Sequence, residues 1–197
     1  MVKVSRYHPL LVALHWILAA LISAALFLGA FVMVRIPNTD PMKIEALRSH
    51  MIGGVLILVF MLARLFVRVR TVHPAEAATG SAALDRVAWI SHRLLYVLVL
   101  GQAVSGFLLA LQAGLPDIVF WSDGALPADF WAFSMRGVHY EISRLLMALI
   151  ALHVCGAFYH AFVRRDGLLR RMWFGSRAMP VSQPYQHPIS HRERVRS

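Results

Sequence analysis

The sequence predicts an all-α membrane protein, a bundle of four transmembrane helices running up and down. Three observations predict it. Of the 197 residues, 58% are hydrophobic and mean hydropathy is +0.61, a composition foreign to soluble domains. Four apolar runs follow one another along the chain, each long enough to cross about 30 Å of hydrocarbon as a helix. The basic residues gather where alternate runs end, the pattern that membrane topology imposes.

The first helix is expected over residues 9–34, behind a short basic lead with Lys3 and Arg6. A signal peptide has the same order, but its apolar core is only about 7–15 residues, so this run reads as a retained helix. Arg35 to Ser49 is a polar turn region with Pro37, Asn38, Asp40 and Pro41. The second helix is expected over 44–69, closing on Arg64, Arg68 and Arg70, and Thr71 to Ser81 is a Pro/Gly/Ala linker. The third helix is expected over 84–111. Gln112 to Gly137 is the longest connection, rich in Trp and Phe but broken by Pro and Gly. It reads as a short interfacial helix or lid lying on the membrane. The fourth helix is expected over 138–163, completing one domain of residues 1–175, and 176–197 is a polar tail.

Charge then sets orientation. The N-terminus, the linker between the second and third helices and the C-terminal segment hold most of the Lys and Arg. The other two connections hold Asp40, Glu45, Asp117, Asp123 and Asp129 against Arg35, Lys43, Arg48 and Arg136. By the positive-inside rule both termini are cytoplasmic. The net charge of +10 is thereby spent on topology, and a nucleic-acid partner is set aside. The single cysteine, Cys155, lies inside an apolar run, which leaves neither a disulfide framework nor a thiolate metal site.

The chemistry is carried by histidines inside the apolar runs. On the fourth helix, fourteen steps bring His153 back to within about 40° of His139, roughly 21 Å along the axis, and His160 continues the stripe. Unpaired polar groups in hydrocarbon cost kilocalories, so these rings need partners. By depth, His15 on the first helix matches His153, and His50 at the start of the second matches His139. Two bis-histidine pairs stacked between helices are what two b-type haems require, one imidazole on each side of each iron. Gly53, Gly54 and Gly156 beside these residues make a groove for a flat macrocycle or a close helix contact. Arg48 and Arg136 at one level, and Arg64 and Arg93 at the other, are candidates to hold haem propionates. Arg144 needs a partner, with Glu141 one turn before it as a candidate. His92 and His160 have no haem partner left and are candidates to hydrogen-bond a quinone or relay its protons. His8, His73, His187 and His191 fall outside the runs and read as solvated.

LHW around His15, SHMIGG around His50, ARLFVRVR closing the second helix, SHRLLYVLVLGQAVSGFLL around His92 and HYEISRLLMALIALH from His139 to His153 together resemble the bacterial cytochrome b561 family. The resemblance covers residues 5 to 175. It implies a four-helix inner-membrane cytochrome with two haems b, exchanging electrons with the quinone pool. It implies His15, His50, His139 and His153 as haem-iron ligands, with His92 and His160 near the quinone. One branch is similar to a superoxide oxidase, which implies superoxide as the periplasmic donor, oxidised to oxygen while ubiquinone becomes quinol. The alternative is an electron-relay membrane subunit for a partner dehydrogenase or hydrogenase, docking through the 112–137 connection. A histidine-lined transporter is disfavoured, because helix breakers at mid-membrane and carboxylates deep in the runs are absent, Glu45, Asp85 and Glu141 all lying within a turn of a run's start.

Overall fold

A computed structural model describes residues 4–75, 81–122 and 124–176. Residues 76–80 of the expected linker, Asp123, and the tail from 177 to 197 with His187 and His191 lie outside the described residues. Four helical spans are long and apolar enough to cross a membrane, Pro9–Arg35, Pro41–Arg70, Ala82–Gln112 and Ser134–Arg164. They alternate in direction, so residues near both termini meet at one end, called here the terminal end; the opposite end is the distal end. There is no strand among the described residues.

Helix α1 (Pro9–Phe27) starts where His8 accepts a hydrogen bond from the Leu10 amide and proline occupies the first turn. His8 therefore caps a helix rather than simply meeting solvent. The span continues through a π-helical turn, Leu28–Val32, and a 3-10 turn, Met33–Arg35. Helix α2 (Pro41–Arg70) begins three residues before the expected start. The reason is local: Asp40 Oδ1 accepts from the Met42 amide at 2.9 Å and Pro41 fills the first helical position. Helix α3 (Ala82–Gln112) ends before Gly114, whose left-handed backbone (φ 62°) turns the chain into the short helix α4 (Leu115–Trp121). Helix α5 (Ser134–Phe158) extends through a second π-helical stretch, Tyr159–Arg164. It starts four residues earlier than expected because it runs straight through Gly137, where a Cβ would meet nothing within 4 Å.

Helix α1 packs on α2, α2 on α3, and α3 most extensively on α5. Leu18, Ile57, Met61, Val99 and Leu146 form the central core. Helix α4 folds over the distal end, where Leu115 and fully buried Val119 join Leu47, Ala110 and Ala113. The expected interfacial element is thus a lid pinned to the bundle. Arg48 pins it: Nε and Nη2 donate to the Val119 carbonyl at 3.1 and 2.6 Å, and Nη1 pairs with Glu45 at 2.6 Å. Lys43 is buried and caps the first span, donating from Nζ to the carbonyls of Met33 and Ile36 at 2.6 and 2.9 Å.

At the terminal end the segment after α5 returns as a strap. Tyr7 donates from its amide to the Arg171 carbonyl, Arg6 to Phe174, and Trp16 Nε1 to Met172 at 3.0 Å. Arg171 reaches the Ala75 carbonyl, and the His73 ring packs on Tyr7, so His73 is part of this closure and not a solvated side chain. Helices α1 and α5 barely touch. An apolar groove of about 500 Å³ opens between them, lined by Leu26, Phe27 and Phe31 on one side and Met147, Ile150 and Val154 on the other.

Candidate functional site

The histidines meet in pairs between helices. His50, two and a half turns into α2, faces His139 in the second turn of α5, with ring centroids 6.2 Å apart and planes at 83°. His15 on α1 faces His153 on α5 with centroids 6.5 Å apart and planes at 72°. His92 on α3 lies edge-on against His153 at 5.2 Å, and its Nδ1 donates to the Ala88 carbonyl at 2.7 Å. His160 sits in the second π-helical stretch, a kind of irregularity common at functional positions. Its Nδ1 is 2.6 Å from Asp166 Oδ2, and Arg164 approaches the same oxygen at 3.5 Å. Asp166 lies beyond the span, after the left-handed residue Arg165 that ends it. The His160 hydrogen bond holds its carboxyl below the usual carboxylate range.

Several residues around the distal pair carry no mark in the sequence pattern used above. Gly29, in the first π-helical turn, lies against His50, where a Cβ would stand 3.3 Å from Cε1. Gly106 lies against His139, where a Cβ would stand 2.9 Å from Cε1. Ser105 Oγ is 3.0 Å from His139 Nδ1, and the Gln102 amide nitrogen is 3.1 Å from Nε2. Gln102, Ser105 and Gly106 occupy positions i, i+3 and i+4 of one α3 face. Two polar side chains one turn apart in an apolar helix are the signal that would have found them.

The arginines divide. The Arg136 guanidinium lies over the rings of Trp131 and Tyr140, at 4.8 and 5.8 Å, in the turn before His139. Arg48 is committed to the lid, as described. Arg64 ties three helices together, donating to the Leu11 carbonyl at 2.6 Å and to the Tyr96 hydroxyl at 3.1 Å. Arg93 stacks on Trp89 at 3.3 Å. Arg144 takes the partner expected of it, Glu141, at 3.4 Å on an exposed face.

Residues 6–175 match the family model described as prokaryotic cytochrome b561. The chain belongs to the prokaryotic cytochrome b561 family. This b561 chain is similar to Cytochrome b561 homolog 2 of Escherichia coli, 27% identical over 85% of this chain and 90% of that protein. It is similar to Cytochrome b562 of Cereibacter sphaeroides, 28% identical over 84% and 94%. It is also similar to a protein of Yersinia pestis named Probable superoxide oxidase CybB, 23% identical over 85% and 95%. The chain is therefore a multi-pass bacterial membrane protein of electron transfer, in a family whose cofactor is b-type haem.

The residues of this b561 chain fit that group. An imidazole nitrogen sits about 2 Å from a first-row metal ion and the ring centre about 1.1 Å behind it, so rings on opposite sides of one ion have centres about 6.2 Å apart. Both cross-helix pairs meet this separation; the 5.2 Å contact of His92 with His153 is too close. No cluster of three or more Cys, His, Asp or Glu suited to a bare metal ion exists among the described residues. A haem iron brings four nitrogens of its own and asks the protein for two. No protein atom occupies the space beside Gly53, Gly54 and Gly156, where a Cβ would meet nothing within 4 Å. These glycines do not serve close helix packing.

Proposed function

We propose that this cytochrome holds two haems b and carries electrons from superoxide at a periplasmic distal end to ubiquinone at a cytoplasmic terminal end. The observation that carries the reading is the meeting of two imidazole pairs across helices, with ring centroids 6.5 and 6.2 Å apart, which would hold two haems. His50 and His139 hold the distal group; His15 and His153 hold the other. When bound, haem supplies the one-electron couple.

The side chains of this protein do the rest. Arg136, in the turn before His139, draws a small anion to the distal end and is the propionate partner there, since the donors of Arg48 are spent on the lid. Two of the acids in the distal connections are spent locally, Asp40 capping α2 and Asp129 capping the turn at Trp131. At the terminal end His92 and His160 both have Nδ1 committed, to the Ala88 carbonyl and to Asp166. Nε2 is therefore the nitrogen that takes and gives a proton on each ring. The reaction balances: two superoxide ions yield two oxygen molecules and two electrons, which with two protons convert quinone to quinol. The basic terminal end, with Arg64, Arg68, Arg70, Arg164, Arg165, Arg170 and Arg171, supports a cytoplasmic placement of both termini.

The test is quinone reduction by purified, haem-loaded protein under an enzymatic superoxide flux, followed by quinone absorbance. The expected rate exceeds that of the His50→Ala variant severalfold. A rate equal to that of the variant would leave the haem centres as a relay for a partner dehydrogenase or hydrogenase.

A further inference from the structure

The two imidazoles of the distal pair are held differently. His50 has a backbone partner on the first helix, the Ala25 carbonyl. His139 is cradled by one face of α3. Ser105, only 3% exposed, donates from Oγ to the Gln102 carbonyl at 3.0 Å. Its lone pairs then point to His139 Nδ1, also at 3.0 Å, and accept the ring proton. The Gln102 amide donates to Nε2. With the serine proton on the Gln102 carbonyl, which also lies within reach of the ring, these bonds favour the tautomer with its proton on Nδ1 and its lone pair on Nε2, the nitrogen that would bind a metal in place of the Gln102 amide. Gly106 adds a steric limit. The ring lies so close to the α3 backbone that a Cβ would overlap it at 2.9 Å, which leaves the ring plane little freedom.

We infer that Ser105 is a positioning residue of the distal centre, setting the tautomer, plane and donor strength of His139 and thereby the midpoint potential of that centre. The inference rests on the reading of His50 and His139 as axial ligands. A second-shell acceptor on the far nitrogen makes an imidazole more basic, and a more basic ligand favours the oxidised metal. Ser105 therefore keeps the distal potential low. The Gln102 amide, on a flexible side chain, satisfies Nε2 when no metal does, and ligation displaces it.

The experiment is a spectroelectrochemical titration of haem-loaded wild type, Ser105→Ala and Ser105→Thr, with haem counted by pyridine haemochrome and ferric EPR recorded on each. The distal component is the one lost in His50→Ala. Expected in Ser105→Ala are full haem content, a distal midpoint shifted upward, an altered distal EPR signal and an unmoved second midpoint. Ser105→Thr, which restores the hydroxyl, keeps the wild-type values. An unmoved distal midpoint and signal in Ser105→Ala overturns the inference, as do equal losses at both centres or a Ser105→Thr protein that follows the alanine variant. Wild-type protein without a haem at this level overturns the ligand reading itself, a result distinguishable from failure of the serine's role alone.

Discussion

His50 and His139 present their ring planes to each other at 83°, across 6.2 Å, from two helices that do not adjoin in the bundle. The second pair, His15 and His153, crosses at 72°. Axial imidazoles with nearly perpendicular planes give ferric iron a strongly anisotropic low-spin EPR signal, whereas coplanar ligands give a rhombic one. Frozen oxidised protein is expected to show two strongly anisotropic signals. His139→Ala is expected to abolish one of them and halve the haem content. Rhombic signals alone, or loss of both haems in that variant, would count against the pairing.

Glycine substitutions separate close approach from empty space. Gly106→Ala is expected to displace His139, because the new Cβ meets ring carbon at 2.9 Å, and to cost the distal haem. Gly29→Ala is milder, with 3.3 Å to His50, a gap that a small ring shift relieves. Gly53→Ala meets no protein atom within 4 Å, so by propensity alone it would stabilise α2 by about 0.5–1 kcal/mol. If a macrocycle fills the space beside it, haem retention falls instead. Haem-to-protein ratios of the three purified variants decide the matter; unchanged retention in Gly106→Ala would contradict the close approach.

How far these features were legible beforehand differs from one residue to the next. The four spans and the depth matching of His15 with His153 and His50 with His139 follow from run length and a 1.5 Å rise, which no packing detail alters. Helix starts at Pro41 and Ser134 were missed because one is set by a cap and proline and the other by tolerance of Gly137. Arg48 read as a candidate propionate partner and Lys43 only as one of the bases of a distal connection. Their use as a lid clamp and a helix cap depends on where the carbonyls of Val119, Met33 and Ile36 arrive in space. The π-helical turns beside Gly29 and at His160 have no one-dimensional signature. Ser105 and Gln102 did have one, a polar pair one turn apart in apolar surroundings, that went unused.

Arg48→Ala tests the lid clamp against a propionate role. Removing the guanidinium leaves the Val119 carbonyl without either donor and releases α4 from α2. Amide exchange over residues 115–121 is expected to quicken by an order of magnitude or so, a cost of about 1.4 kcal/mol in local opening, while haem content stays unchanged. Haem loss with unchanged exchange would restore the propionate role.

Lys43→Met keeps the buried stem of the side chain and removes its ammonium. The carbonyls of Met33 and Ile36 then lose the donor at 2.6 and 2.9 Å that ends the first span. Leaving such buried acceptors unsatisfied costs about 1–3 kcal/mol. A lower thermal midpoint in detergent is expected, with haem spectra intact below the transition. A midpoint equal to wild type would mean that water replaces the ammonium at this level.

The contact of Asp166 with His160 carries a pH signature of known sign. The His160 hydrogen bond lowers the carboxyl pKa from its ordinary value of 3.8, with the Leu168 amide and Arg164 acting in the same direction. A carboxyl whose folded value is depressed contributes its stabilisation fully above the unfolded value and loses it as pH falls through the folded one. The contact is therefore expected to persist unchanged from neutrality down to about pH 4 and to open only below that. Infrared difference spectra on acidification are expected to show a protonated carboxyl band from Asp166, absent in Asp166→Asn, appearing only below the ordinary range. With the carboxylate gone in Asp166→Asn, Nδ1 of His160 loses its ionised acceptor and the ring its orientation. Quinone reduction is expected to slow while haem content and spectra stay as in wild type. A band that appears above pH 4, or a variant with undiminished quinone reduction, would remove Asp166 from the proton path.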